Sequence, residues 1–444
     1  MNKEFCEKQN FFSFSDIDFE RKGRIMKFTS TEATPAPHVP PGVPRLTGAA
    51  KEDIPMYRIQ TMNKISPVGL NRFPSELYEV GDAVQDPQGI LVRSAKLLEL
   101  EFNPGLLAIA RAGVGVNNIP LDRCAAAGIP VFSTPGANAN AVKELVICAM
   151  LMGSRDIPGA IRWVREQAAS GVDVSTVVEK GKSAFIGPEL YKKTLGIIGL
   201  GAIGSIVANT AISLGMDVYG YDPFLSVDTA LRLDRHVHVV KDINDLYKRS
   251  DYITMHIHYT EKTAHMIDAS AIAAMKRGVR VINLARGEIV DDEAMLTALD
   301  TGMVAAYITD FPNNRLLTAP HVIAMPHLGA STPESEQNCA AMAVDTLRDY
   351  LENGNIRSSV NLPEMTMDRS GVQRLCVLHK NVPGMLANIT SLFGRDGVNV
   401  ENLSNKSRGG YAYTMVDLGS RVGDNVIEDV RRTANVIRVR SLEW

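Results

Sequence analysis

The densest chemistry in the chain lies between Thr194 and Asp222, where TLGIIGLGAIGSIVANTAISLGMDVYGYD runs from an apolar segment through three glycines to an acid. Leu195, Ile197 and Ile198 read as a strand. Gly199-Leu200-Gly201-Ala202-Ile203-Gly204 reads as a turn opening a helix, and Val218-Tyr219-Gly220-Tyr221 as a second strand ending on Asp222. A bare GxGxxG is a weak signal. The same glycines between a strand and a helix, with an acid closing the next strand eighteen residues later, point specifically to a dinucleotide. Gly199 permits the tight turn and Gly201 lets backbone amides approach a pyrophosphate. Gly204 lets the helix that starts at Ala202 and Ile203 lie against the sheet, its positive end toward the phosphates. Asp222 can accept hydrogen bonds from both ribose hydroxyls and repels a 2′-phosphate, so NAD is expected rather than NADP.

The elements around this motif alternate. From Met56 to about Ser154, GILVRS, LLAIARAG and IPVFSTPG read as strands and a long helix starts near Asn140. From about 155 to 332 the nucleotide motif is followed by DYITMHIH, ASAIAAMK, RVINLA, DDEAMLTALDTG and VIAMPH. Strands linked by helices predict two parallel α/β units, the second a doubly wound sheet with ligands at the carboxyl ends of its strands. Pro333 to Asn353 reads as a long amphipathic helix able to return to the first unit, which would then comprise 56–154 and 333–360. After a linker, residues 371–444 give strand, helix, strand, strand, helix, strand: a small βαββαβ, ferredoxin-like domain. Residues 1–55 differ. Thr31 to Arg45 carries five prolines, so this stretch is expected to be a disordered extension, and it has neither an apolar signal core nor a transit-peptide composition.

At 444 residues the chain is too long for a single ordinary core. A hydrophobic fraction of 45% and a net charge of −3 suit a globular protein and leave no basic face for nucleic acid or an anionic membrane. No apolar run reaches the roughly 18 to 20 residues of a membrane span. The five cysteines (Cys6, Cys124, Cys148, Cys339, Cys376) are scattered without CxxC spacing, which predicts reduced thiols, a cytoplasmic setting and no metal site.

Six segments in fixed order carry a family resemblance: LVRS at 91–94, RAGVGVNNIPL at 111–121, STPGANANAVKEL at 133–145, the nucleotide motif, INLARGEIVD at 282–291 and MPHLGAST at 325–332. Over about residues 57–444 the chain resembles the D-2-hydroxyacid dehydrogenases, in particular the branch that oxidises 3-phosphoglycerate and carries a C-terminal ACT regulatory domain. The resemblance implies a flavodoxin-like substrate domain beside the NAD domain. It also implies oxidation of the C2 hydroxyl of 3-phosphoglycerate to 3-phosphohydroxypyruvate, the first step of L-serine biosynthesis.

The residues suit those roles. Hydride can leave C2 only as the hydroxyl proton is taken, and His327, after Pro326 at the end of an apolar strand, is an imidazole placed to take it. Arg286, in a strand-to-helix turn, has the planar fork to bind the substrate carboxylate in two bonds and polarise the C2 oxygen. The family match puts Arg93, Ser94 and Asn117 around the carboxylate and phosphate, with Arg111 as a further phosphate candidate. Asn138 and Asn140 either approach the nicotinamide or cap the next helix.

The chain departs from the family pattern at two places. The glutamate that orients the imidazole in relatives is replaced at its expected position by Asn314, in TDFPNNR, and Asp310 is the nearest acid. Lys143 stands where relatives have a small residue, and can anchor an anion, share the proton transfer or be a solvated helical lysine. In the C-terminal module His379, Asn381 and Asn399 match the positions that hold an amino acid in serine-sensing ACT domains. The match implies L-serine as effector and a homo-oligomer, because such sites form between paired modules. Two other readings fit less of the sequence. A hydroxypyruvate or glyoxylate reductase needs no phosphate site, and a non-catalytic NAD-sensing protein of the same fold needs no Arg286–His327 pair.

Overall fold

The computed structural model describes residues 56–444, and the expected N-terminal extension lies outside the described residues. Three sheets organise the chain. The first contains β1 (Tyr57–Met62), β2 (Tyr78–Gly81), β3 (Gly89–Val92), β4 (Ala108–Arg111) and β5 (Val131–Phe132). All its pairings are parallel and its order is β2-β1-β3-β4-β5, the flavodoxin-like arrangement. The second contains β6 (Thr194–Ile198), β7 (Asp217–Tyr221), β8 (Val237–Val239), β9 (Tyr252–Met255), β10 (Val279–Asn283), β11 (Val304–Thr309) and β12 (Val322–Ala324). It too is parallel, in the order β12-β11-β10-β9-β6-β7-β8. Strand order reverses between β6 and β9, so the ligand crevice of a doubly wound sheet opens at their carboxyl ends. Central strand β9 is buried along its whole length, which explains why its sequence is mostly apolar without a polar alternation.

The third sheet is antiparallel: β13 (Gln373–Lys380), β14 (Val400–Arg408), β15 (Tyr411–Leu418) and β16 (Val436–Glu443), in the order β14-β15-β13-β16. One face is covered by its own helices, Met385–Arg395 and Asp424–Arg432, through Leu375, Val377, Ile389, Phe393 and Val430. The opposite face places Cys376, Leu378, Tyr413 and Met415 in one core with Phe132, Leu347, Tyr350 and Leu351 of the first unit.

Three features differ from the sequence expectation. Helix Ala139–Arg155, assigned there to the first unit, buries Val142, Val146, Ala149 and Met150 among Leu195, Ile197, Ile282 and Ile308 of the second sheet. By packing, the change of unit therefore falls before this helix. Two helices not foreseen, Ile157–Ala169 and Val174–Gly181, form an arm in which Gly159 is the sole buried residue, so no apolar stripe announced them. The stretch 354–371, read as a linker, is packed: Ile356, Leu362, Met365 and Met367 are buried, and Ile356 pairs with Met365.

Helix Pro333–Asn353 lies on the first sheet and carries its end into the third domain. Its last carbonyls are capped from there: Arg440 donates to the Tyr350 and Leu351 oxygens, Arg374 to that of Asn353, and the Tyr413 hydroxyl to that of Gly354. Arg374 also pairs with Asp417, both wholly buried, and its remaining donors reach the Met367 and Asp368 carbonyls. Every N–H of this guanidinium is used, which is what allows a charge to stay inside.

Candidate active site

The glycine turn has the geometry a diphosphate needs. Gly199 has φ +90°, and a Cβ on it would stand 2.6 Å from the His256 carbonyl, so both conformation and space require glycine. Gly204 is fixed by contact, since a Cβ there would lie 1.9 Å from the Gly199 oxygen. Gly201 faces open space. It is the N-cap of helix Ala202–Ser213 and offers no side-chain cap, so the amides of the first turn, around Ala202 and Ile203, remain available to an anion. Asp222 is locked at the end of β7, one carboxylate oxygen accepting from the Leu200 amide (2.9 Å) and the other from the Phe224 amide (2.8 Å). These residues fit an NAD diphosphate and ribose.

His256, which sequence reasoning passed over inside DYITMHIH, ends β9 against this turn. Burial lowers its pKa to about 4, so the ring is neutral at neutral pH. Its Nε2 lies 3.2 Å from Thr254 Oγ1. A histidine immediately after a buried strand, at the carboxyl end where ligands bind, was the available signal.

On the opposite wall, the loop from Gly113 to Asn117 gathers a cationic group. A Cβ on Gly115 would stand 3.3 Å from Arg111 Nη1, 3.4 Å from Asn117 Oδ1 and 3.5 Å from Arg286 Nη2. Arg111 Nε donates to the Arg93 carbonyl at 2.8 Å, which ties β4 to the end of β3. Burial depresses the Arg111 pKa, and the charges of Arg286 and Arg93 press the same way. Arg111, held in the sequence as a lesser candidate, is thus central to the group. Arg93 is paired with Glu336 of helix Pro333–Asn353. Ser94 is placed by Asn63, whose Oδ1 accepts the backbone amides of Ser94 and Ala95.

Arg286 leaves β10 through a short turn, its Nη1 donating to the Ala285 carbonyl and its own carbonyl held by the Asn283 amide. Its guanidinium stands 5.9 Å from the centre of the Phe311 ring, and His327 packs on the same ring at 4.7 Å between centroids. Phe311 therefore bridges the two. His327 is exposed to solvent. Asp310 is only 1% exposed, and neither of its carboxylate oxygens has a hydrogen-bond partner. Burial pushes its carboxyl up, opposed most strongly by the charge of His327, then by the nearby backbone amide of Gly329, and also by the charge of Arg286. Asn314, at the place of the missing glutamate, is exposed.

Most of the other predicted residues have partners of their own. Lys143 is held by Asn140 at 2.7 Å and lies 3.7 Å from Glu144, on the first turn of its helix. Asn138 occupies the cap position of that helix without capping it, and its buried Oδ1 and the Thr134 Oγ1 lack partners. In the third domain His379 is 3% exposed, with Nδ1 bonded to the Lys380 carbonyl and Nε2 to Thr414 Oγ1. Asn381 and Asn399 are exposed, one bonded to the Gly409 carbonyl and the other to Glu401. They lie at opposite ends of the sheet. Lys380 pairs with Tyr411 and the Asn399 carbonyl takes the Gly419 amide, so roughly 24 Å of strand separates them. Among the described residues no group of His, Cys, Asp and Glu could hold a metal, and no helix is long and apolar enough to cross a membrane.

Comparisons with known proteins agree with this geometry. Residues 147–329 match the D-isomer specific 2-hydroxyacid dehydrogenase, NAD binding domain. A D-3-phosphoglycerate dehydrogenase of Synechocystis is 36% identical over 326 residues, 71% of this chain and 56% of that protein. Those of Methanocaldococcus jannaschii and Bacillus subtilis are both 35% identical, so the chain spans little more than half the length of these three curated relatives, 55% to 60%. The Escherichia coli D-3-phosphoglycerate dehydrogenase is 32% identical over 380 residues, 82% of this chain and 89% of that protein. Among solved structures, an NAD⁺-bound 3-phosphoglycerate dehydrogenase of Entamoeba histolytica is 26% identical with a TM-score of 0.54, covering 69% of this chain and 99% of that one. A D-mandelate dehydrogenase of Rhodotorula graminis shares the fold at 21% identity, with a TM-score of 0.60 over 71% of this chain and all of the other. With a glycine turn shaped for a dinucleotide, Arg286 and His327 on one aromatic ring, and relatives matched over most of its length, the chain belongs to the D-2-hydroxyacid dehydrogenase family.

Proposed function

We propose that the protein oxidises 3-phosphoglycerate to 3-phosphohydroxypyruvate with NAD, as the entry to L-serine synthesis. The observation that carries this reading is the convergence of Arg111 and Arg286 at the Gly113–Asn117 turn, beside the nucleotide crevice, with Arg93 near enough for its charge to press on Arg111. Three guanidinium groups so close repel one another and call for a substrate with two anionic ends. Arg286 takes the carboxylate and draws electron density from the C2 oxygen. Arg93, Arg111, Ser94 and Asn117 take the phosphate end. Bound NAD supplies the acceptor for the hydride that leaves C2. His327 removes the C2 hydroxyl proton in the same step, and Phe311 fixes the spacing between imidazole and guanidinium. Asp310 takes the place of the missing glutamate: a buried carboxylate without a hydrogen-bond partner, beside His327, steadies the imidazolium as it forms. Lys143, tied to Asn140 and Glu144, keeps to the rim as an anion steerer.

The division of labour follows the sheets: an NAD domain at about 139–332, a substrate domain at about 56–138 with 333–360, and an ACT domain at 371–444. L-serine is the effector. Since Asn381 and Asn399 lie at opposite ends of one sheet, a ligand touching both requires two copies side by side, which makes the protein a homo-oligomer. The arm helices, with Ile161, Val164 and Val178 exposed, offer a second surface for such pairing. His379 joins the site only by giving up its bond to Thr414 or Lys380. Unpaired thiols at Cys124, Cys148, Cys339 and Cys376 support a cytoplasmic setting.

The test is NADH production by the purified chain with 3-phosphoglycerate, compared with lactate, glycerate and malate, with and without L-serine. Turnover confined to the phosphorylated acid is expected. Equal turnover of glycerate would favour the reductase reading, and no effect of millimolar serine would remove the effector.

A further inference from the structure

Glu336 is the one carboxylate, among the described residues, within ion-pair distance of any member of the arginine group. Arg111 and Arg286 have none. Their side chains reach only backbone carbonyls, those of Arg93 and Ala285. Glu336 lies in the first turn of helix Pro333–Asn353, whose Cys339, Ala340, Ala343 and Val344 are buried in the molecule. The helix therefore fixes where the glutamate starts. The carboxylate itself is free to leave, since the Arg93 and Glu336 side chains are 43% and 44% exposed. It contacts a single terminal nitrogen of Arg93.

We infer that Glu336 is a built-in competitor for the phosphate seat: it holds Arg93 when no substrate is bound and yields to a phosphoryl group. This rests on the reading that the substrate is a phosphorylated 2-hydroxy acid. A phosphate monoester carries a charge of about −1.5 to −2 near neutral pH and three acceptor oxygens. A carboxylate brings one charge and two. A substrate also anchored at Arg286 therefore displaces Glu336, whereas an inorganic anion, lacking the second anchor, competes poorly. The glutamate keeps Arg93 extended toward the seat and keeps ambient phosphate off it. It also hastens departure of the phosphorylated product, because it recaptures the guanidinium.

Glu336→Gln preserves shape and removes the charge. Inorganic phosphate titrated calorimetrically into the full chain at low ionic strength is the direct probe. The variant should bind it about two- to fivefold more tightly than the parent, the range expected when an exposed ion-pair partner is lost. The gain should vanish when Arg93→Ala is added. In turnover, KM for 3-phosphoglycerate should fall by a similar factor while that for glycerate stays put. Phosphate affinity that is unchanged or weaker in Glu336→Gln overturns the inference and leaves Glu336 as a strut for Arg93. The calorimetry does not depend on catalysis. If 3-phosphoglycerate is not oxidised but phosphate binding tightens, the functional reading fails and the competitor stands.

Discussion

Asp310 bears the clearest conflict between stability and chemistry in the site. Burial raises its carboxyl pKa above the ordinary 3.8, so the folded state holds this proton more tightly than the unfolded chain does. The associated stability is complete below about 3.8 and is lost as pH rises, because ionising a buried carboxylate with no hydrogen-bond partner is unfavourable. Asparagine cannot ionise. Asp310→Asn should therefore stabilise the protein at pH 8 by on the order of 1 kcal/mol, a gain that shrinks as pH falls toward 3.8, in parallel melts. The same change should lower kcat by about 10- to 100-fold, because the imidazolium loses its counter-charge. An unaltered kcat with an unaltered pH profile would mean that Asp310 and His327 do not work together. Arg111 teaches the complementary lesson. It is half of a tie to the Arg93 carbonyl as well as the proposed anion ligand, so it shapes the site before any substrate arrives.

Among the elements, the strand–turn–helix of the nucleotide site separates two uses of glycine. Gly204 is required by packing, with its missing Cβ 1.9 Å from a backbone oxygen, whereas Gly201 borders open space. Gly204→Ala should cost roughly 1–3 kcal/mol of stability through overpacking and weaken NAD binding with it. Gly201→Ala should leave the melting temperature nearly untouched and still weaken NAD, because its methyl group stands where the diphosphate approaches. Melting curves and NADH fluorescence titrations of the two variants check the distinction, and equal stability loss in both would refute it. Helix Pro333–Asn353 works at both ends. Its first turn supplies Glu336 to the arginine group, and its last turn is capped by Arg440, Arg374 and Tyr413 from the third domain. It is the element that physically joins the C-terminal sheet to the substrate side of the crevice.

For the whole molecule, the decisive feature is that the central strands β13 and β15 of the third sheet are covered on both faces, while edge strand β14 stays largely exposed. The sheet's second face shares a core with the first unit, so the C-terminal domain is part of that unit's interior. The Arg374–Asp417 pair sits at the junction and fastens the 354–371 segment, the helix end and the sheet together. Arg374→Met leaves Asp417 charged and buried without its partner, and should destabilise the protein by about 3–5 kcal/mol. Chemical denaturation followed by two probes, fluorescence and far-ultraviolet dichroism, should show one transition for the first unit and the C-terminal domain. Separate transitions would show that the shared core does not couple them.

What the sequence determined by itself was whatever local pattern encodes. The glycine spacing and the acid at the end of β7 specified the nucleotide turn. Alternating apolar runs and helices specified two parallel units, and RLCVLH through VIRVRSL specified the C-terminal βαββαβ order. Arg286 and His327 were legible because each stands in a motif at a strand end. The weakly apolar edge strand β8, the polar-faced β1 and the arm helices were not legible, since none carries a continuous buried stripe. Tertiary structure alone decided which distant residues meet. It joined Arg93 to Glu336 across 243 residues, brought Arg111 to the same turn as Arg286, turned Asp310 inward and Asn314 outward, and sealed His379 inside its sheet. Helices and strands form from neighbours in sequence, whereas charges and cavities at a site depend on how three sheets pack. No local pattern carries that information.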